Sequence, residues 1–374
     1  MSKPQILISA GEASGDMYAA RLAAALRARV DVHLFGLGGQ QMKAAGVELV
    51  ADSSEVAVVG ISEVLHRLPA LRRVMRRLVA EASQRRPALA ILTDFPGFHL
   101  RLARKLKARG VRNVYFIAPQ FWAWRPQRVR LVRRRFERAL CIFPFEERFY
   151  RHAGVKVEFI GHPLVDQVRQ RRSREEFAGQ CNLDSGLPIV ALLPGSRPGE
   201  LAHILPTILE ACRQLAQQRR LQFVVAVAPG LRAGQVAEYA RPDVAVRLIE
   251  DGTYDALAAA DVSVVASGTA TVEAALLGAP MVVVYRVSLL TAFVAKRLVR
   301  APFFSMPNLI AERRVVPELI QDDFRPERVA EEVTRLLESS AAREQMKRDL
   351  GEVRSKLGLG GAIERAADSI AGML

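Results

Sequence analysis

A chain of 374 residues, half of them apolar, is long enough to bury more than one core and is expected to divide into two domains. Its three cysteines, Cys141, Cys181 and Cys212, lie far apart without C-x-x-C spacing, which argues against a disulfide framework or a zinc site and fits a reducing cytoplasm. The net charge of +15 is concentrated: residues 1–160 hold 28 Lys and Arg against 13 Asp and Glu, and residues 161–374 hold 26 against 26, so the first half is expected to face something anionic. No apolar run approaches the roughly 18 residues a spanning helix needs, and the N-terminus lacks the pattern of a secretion signal.

Short apolar strands, each followed by a helical pattern, are predicted at 5–9, 32–35, 88–92, 114–117, 138–142 and 157–160. The first breaks into the turn of "LISAGEASGDMYAARLAAAL", a place that normally receives a phosphate but here carries Glu12 and Asp16. The glycine-rich "FGLGGQQM" follows the second strand rather than the first, and reads as clearing space at a cleft floor. In "LPALRRVMRRLV", helical spacing puts Leu68, Leu71, Val74, Met75, Leu78 and Val79 on one face and Arg72, Arg73, Arg76 and Arg77 on the other. That is the pattern of an interfacial membrane helix, and equally of a surface helix packed on its sheet. The arginine run at 125–138, beside Trp122 and Trp124, invites a nucleic-acid reading, but no RNA-binding signature accompanies it.

At "FIGHPLVDQV" a strand ends in Gly161 and Pro163, and the domains are expected to join there: 1–162, then 163–340, with a helical segment at 341–374. A second series of strands follows at 189–193, 223–228, 245–249, 262–266 and 281–285. Two such series mean an α/β protein with two Rossmann-like, doubly wound domains facing across a cleft, and helices alone from about Arg325. The loops after the strands are therefore the place for ligands.

In the second domain, "LLPGSRPGE" puts Gly195, Ser196 and Arg197 straight after a strand, where glycine admits a diphosphate and arginine offers it a fork of donors. In "DVSVVASGTATVEAALLGAP", Ser267, Gly268, Thr269 and Ala270 open a helix without an acid in its first turn, which suits an anion, though a hydroxyl there also serves as a simple cap. Glu273, one turn on, is placed to accept from a ribose diol. A nicotinamide dinucleotide is not expected, because no G-x-G-x-x-G follows the first strand and Asp31 precedes rather than ends the second. A nucleoside diphosphate fits better, and neither a cofactor nor a metal is called for.

"SAGEASGD", "FGLGGQQM", "APQFWAWRPQRV", "FPFEERFY", "FIGHP", "LLPGSRPGE", "ASGTATVEAALLGAP" and "MPNLIAER" occur in this order, and together they resemble the lipid-A-disaccharide synthases, inverting glycosyltransferases of the GT-B type. The resemblance runs from about residue 5 to residue 320. It implies transfer of 2,3-diacylglucosamine from UDP to the 6-hydroxyl of 2,3-diacylglucosamine 1-phosphate, giving a β-1,6 disaccharide. It further implies a cytoplasmic enzyme lying peripherally on the inner face of an anionic membrane, with no nucleic-acid partner, and leaves open whether it is a homodimer. A UDP-sugar epimerase of the same fold is the second reading, and a basic nucleic-acid-binding module the third.

Given that resemblance, the nucleotide belongs to the second domain, and Glu12, Ser14 and Asp16 are expected on the acceptor side with Trp122, Trp124 and Arg125. Asp16 reads equally as a plain helix-start acid. Asn308 and Glu312 of "MPNLIAER" are placed near the donor by the resemblance alone. A single inversion needs one base, and Asp94 in "TDFPGF" is the expected one, since Phe95, Pro96 and Phe98 surround it with apolar groups that raise its pKa. Glu12 is the runner-up. Gly97 stands where the resemblance leads one to expect a second acid.

Overall fold

The computed structural model describes residues 3–56, 63–288 and 301–374, with the backbone alone at 63–67. It divides into two compact units, one formed by Met1–Pro163 together with Leu357–Leu374 and the other by Leu164–Lys356.

In the first unit the strands are β1 (Gln5–Ala10), β2 (His33–Gly38), β3 (Glu48–Asp52), β4 (Leu89–Thr93), β5 (Arg112–Phe116), β6 (Arg138–Cys141) and β7 (Val157–Phe159). They form one seven-stranded sheet in the order β3-β2-β1-β4-β5-β6-β7, parallel throughout. All five residues of β4 are buried, as a strand covered on both faces requires. The order reverses between β1 and β4, so the loops leaving these two strands, which carry Glu12 and Asp94, open side by side at the switch point. β3 is an edge strand whose charged ends, Glu48 and Asp52, hide it from a search for apolar runs.

The arginine-rich helix Glu63–Arg85 corrects one expectation. Val74, Met75, Leu78 and Val79 are buried in the unit's own hydrophobic core, with Leu71 packed against it, so the apolar face is not a lipid face. Leu68 is half-buried. Arg72, Arg73, Arg76 and Arg77 do face solvent, although Arg77 is tied to Glu55 at 3.2 Å and to the Val50 carbonyl.

The second unit contains β8 (Ile189–Leu193), β9 (Gln222–Ala226), β10 (Val246–Ile249), β11 (Val262–Ala266), β12 (Met281–Tyr285) and β13 (Glu318–Ile320). They pair in parallel in the order β10-β9-β8-β11-β12-β13, with β13 a three-residue edge strand that the sequence pattern does not reveal. Here the switch point lies between β8 and β11, the strands that lead into "GSRPGE" and "SGTATVE".

The expected separate segment 341–374 does not exist as such. Helix Ser340–Lys356 packs within the second unit on helices Thr269–Leu276 and Met306–Ala311. The last helix, Ala362–Ala371, lies on helix Ala13–Arg27 of the first unit. It is fastened by Arg29 Nε donating to Asp368 at 2.5 Å and Arg365 Nε donating to the Ile160 carbonyl at 2.9 Å.

Candidate functional site

In the first unit the structure answers what the acidic turn after β1 is for. Asp94, at the end of β4, takes a left-handed backbone with φ 55°, as does Phe95 with φ 41°, a region that few non-glycine residues enter. The bend turns the Asp94 carboxylate onto the start of helix Ala13–Arg27, where Oδ1 accepts the Gly11 amide at 3.1 Å and Oδ2 the Glu12 amide at 3.3 Å. The amides that would bind a phosphate in a dinucleotide domain therefore hold the protein's own carboxylate. Gly15 is required by this arrangement, since a Cβ there would lie 1.6 Å from Asp94 Oδ2.

The backbone of Asp94 is held just as firmly. Its carbonyl accepts the Tyr115 hydroxyl at 2.7 Å and His99 Nδ1–H at 2.9 Å. His99 is fully buried, and burial holds its pKa down at about 4, so the ring is neutral; with Nδ1 protonated, Nε2 accepts the Ser9 hydroxyl at 2.8 Å. Burial pushes the Asp94 carboxyl up to about 8 and the neighbouring Glu12 charge adds to this, against the lowering effect of the Gly11 amide. Ser9, His99 and Tyr115 give no signal in the sequence, because their roles depend on pairing between strands.

Glu12 and Ser14 are exposed beside Asp94. Asp16 is not available to a sugar: it is 6% exposed, and its oxygens accept the amides of Gly39 at 2.6 Å, Gln41 at 3.0 Å and Met42 at 3.2 Å. Its role is to cap helix Gln40–Ala44, and "FGLGGQQM" is drawn onto this carboxylate rather than left open as cleft floor. After β5, Trp122 donates to Glu146 at 3.0 Å. Glu146 is fully buried, and desolvation raises its pKa to about 7. Trp124 is exposed, with the Arg125 guanidinium 5.3 Å from its ring centre.

In the second unit a cavity of about 620 Å³ gathers Gly195, Ser196, Arg197, Ser267, Gly268, Thr269, Ala270 and Glu273. Of these groups, the Ser196 amide is taken by Glu200 at 2.9 Å, and a Cβ on Gly195 would meet the same carboxylate at 2.6 Å. The Arg197 side chain is exposed and pairs with Glu200 only at 3.5 Å. Helix Thr269–Leu276 instead opens on Gly268 with no acid in its first turn, leaving its leading amides to receive an anion. Glu273 is half-buried and accepts the Tyr254 hydroxyl at 2.9 Å; burial raises its pKa above the usual carboxylate range. Tyr254, Glu250 and Arg172 also line the cavity, and nothing in their sequence context singles them out.

Asn308 is a correction. It is fully buried, donates to the Val316 carbonyl at 3.0 Å and to Glu318 at 2.8 Å, and accepts the Val315 and Val316 amides, so it organises the loop before β13 rather than lining the cavity. Glu312 is exposed at the end of helix Met306–Ala311 with φ 61°.

Two doubly wound units, each with its loops at a switch point, define a protein of the GT-B class. Solved structures agree on the fold: the UDP-GlcNAc 2-epimerase of Neisseria meningitidis bound to UDP-GlcNAc matches with a TM-score of 0.66 at 11% identity, over 99% of this chain and 100% of that one. The calicheamicin glycosyltransferase CalG4 matches at 0.61 with 19% identity, over 100% and 99%. A family model described as Lipid-A-disaccharide synthetase spans residues 6–370. The lipid-A-disaccharide synthase of Myxococcus xanthus is 47% identical across 99% of this chain and 98% of its own length, and that of Geobacter sulfurreducens is 44% identical across 99% and 97%. The chain belongs to the lipid-A-disaccharide synthase family, a family of glycosyltransferases.

Proposed function

We propose that the protein transfers 2,3-diacylglucosamine from UDP to the 6-hydroxyl of 2,3-diacylglucosamine 1-phosphate, forming a β-1,6-linked disaccharide and UDP. The observation that carries the mechanism is Asp94, a carboxylate fixed at both its backbone and its oxygens and raised in pKa by burial. As the acceptor oxygen bonds to the anomeric carbon from the face opposite UDP, Asp94 takes its proton. The bond from the anomeric carbon to the phosphate oxygen breaks with inversion, and the charge passes to UDP. Arg197 and the amides opening helix Thr269–Leu276 stabilise that charge, while Glu273, steadied by Tyr254, accepts from the ribose hydroxyls. Glu12, Ser14, Trp122, Trp124 and Arg125 form the acceptor side.

Among the described residues no helix is long and apolar enough to cross a membrane. With the apolar face of helix Glu63–Arg85 buried, the exposed Arg72, Arg73 and Arg76 supply the attraction that holds the enzyme peripherally on the anionic, cytoplasmic face of a membrane.

The test is to incubate the protein with UDP-diacylglucosamine, with and without the monosaccharide phosphate. Disaccharide and UDP formed only with acceptor support the reading. Consumption of UDP-sugar alone would favour an epimerase, the activity named for several structures of the same fold at 11–13% identity.

A further inference from the structure

Between Asp94 and Glu137 the chain has no aspartate or glutamate, while arginines and lysines recur through it. Some arginines of the first unit are paired with acids, Arg85 with Glu48 at 2.6 Å, Arg29 with Asp368 at 2.5 Å and Arg151 with Glu147 at 2.6 Å, while others, Arg72, Arg73 and Arg76 among them, face solvent with no ion pair among the described residues. Arg101, Arg125 and Arg128 are unpaired and, in addition, gathered around one point. Among the described residues none of the three has an ion pair, and both Arg125 and Arg101 act on Arg128 as like charges. The Arg128 guanidinium is held below its usual pKa first by burial and then by Arg125 and Arg101.

These charges are also ordered. The Arg125 and Arg128 guanidinium carbons lie 5.3 Å and 5.5 Å from the centre of the Trp124 ring, so one indole positions two forks of donors. Arg125 has φ 53° and Ile117, where the loop leaves β5, has φ 59°. For a β-branched residue this backbone is an outlier that the surroundings must enforce. Strain at both ends of a loop that gathers uncompensated positive charge is the arrangement of a preorganised anion site.

Its place matters as much as its charge. β5 is hydrogen-bonded to β4, and adjacent strands lie about 4.8 Å apart, so the loop that carries Arg125 and Arg128 starts beside Asp94 at the same end of the sheet. Arg101 projects from helix Pro96–Lys107, which begins two residues after Asp94. An acceptor with a hydroxyl at one end of its ring and a phosphate at the other could present the first to Asp94 and the second to the arginines.

We propose that Arg101, Arg125 and Arg128, ordered by Trp124, form the site for the phosphate monoester of the acceptor sugar and so make the enzyme selective for a phosphorylated acceptor. The inference rests on the transferase reading above. A dianionic phosphate offers three oxygens to these forks, whereas the same sugar lacking phosphate leaves them unpaired.

The test compares kcat/KM for 2,3-diacylglucosamine 1-phosphate and for 2,3-diacylglucosamine, in micelles of neutral detergent, for the wild type and the Arg125→Gln, Arg128→Gln and Arg101→Gln variants. The ratio is expected to favour the phosphorylated acceptor in the wild type and to fall about tenfold or more in Arg125→Gln and Arg128→Gln, with UDP affinity unchanged. Arg128→Lys, which keeps the charge but loses the fork, is expected to fall between. Circular dichroism shows which variants fold, and Arg101→Gln, an exposed helix position, keeps the test available if a loop variant does not. An unchanged ratio in folded variants overturns the proposal. So does loss of binding to phosphatidylglycerol vesicles with the ratio intact, since the arginines then serve lipid headgroups. If the wild type makes disaccharide from neither acceptor, the transferase reading itself fails and this inference falls with it.

Discussion

The two units use one architecture to opposite electrostatic ends. The strand just past the switch point is β4 in the first unit and β11 in the second. After β11, the loop ends in Gly268 and leaves the leading amides of a helix open, with no acid in the first turn. After β4, the loop begins with Asp94, whose carboxylate accepts the Gly11 and Glu12 amides at the start of the neighbouring helix after β1. The second unit thus leaves amides open after β11, although Glu200 takes the Ser196 amide after β8, while the first places a buried carboxyl at the end of β4. On the function proposed above, this difference is how the same strand–turn–helix unit serves a diphosphate in one unit and a base in the other.

The comparison breaks most visibly if the carboxylate is displaced without being removed. Gly15→Ala puts a methyl group where Asp94 Oδ2 stands, so turnover should fall by roughly a hundredfold, as for loss of a general base, while UDP affinity stays as it was. Steady-state kinetics and calorimetry check this, and a turnover near wild type would show that the position of the carboxylate is immaterial.

On the second unit the effect should be smaller and confined to the donor. Arg197→Ala and Glu273→Ala each remove a charge-assisted contact of about 1.5–3 kcal/mol, so UDP should bind about tenfold or more weakly by calorimetry. Unchanged UDP affinity in both variants would contradict the assignment of the cavity.

The raised pKa of Asp94 sharpens the contrast through pH. Since the base acts when ionised, kcat/KM should rise with pH up to about 8 and then level. The group's folded pKa is above its unfolded value, so its contribution to stability is full below about 4 and is lost as pH rises towards 8. Asp94→Asn should therefore gain on the wild type in melting temperature between these limits, by a few degrees at the size of domain involved. A melting difference that does not change with pH would contradict burial as the cause.

The smallest effect concerns the membrane. Replacing Arg72, Arg73 and Arg76 by Gln should weaken sedimentation with anionic vesicles by up to about 1 kcal/mol for each charge, less as salt rises. Equal binding to neutral vesicles would remove this electrostatic contribution.

Much of the architecture is legible in the chain alone. Strands buried on both faces announce themselves as apolar runs, and the four loops at the two switch points coincide with the motifs at Glu12, Asp94, Gly195 and Ser267. The edge strands Glu48–Asp52 and Glu318–Ile320 escape because they are short and partly exposed. The stripe from Leu68 to Val79 is ambiguous for a physical reason: an amphipathic face looks the same whether it meets lipid or its own sheet. Asp16 and Asn308 are polar residues whose partners lie elsewhere along the chain, Gly39 to Met42 in one case and Val315 to Glu318 in the other. Residue type alone cannot distinguish such caps from ligand contacts. The network of Ser9, His99 and Tyr115 around Asp94 likewise exists only once β1, β4 and β5 are side by side.

The most direct measurement is the turnover of Asp94→Asn beside its UDP affinity. The substitution keeps the shape of the side chain and removes its basicity, so the expected result is a fall in kcat of roughly a hundredfold or more with UDP binding intact. Near-normal turnover in Asp94→Asn, with activity lost instead in Glu12→Gln, would move the base to the neighbouring loop and contradict a catalytic role for the carboxylate at the end of β4.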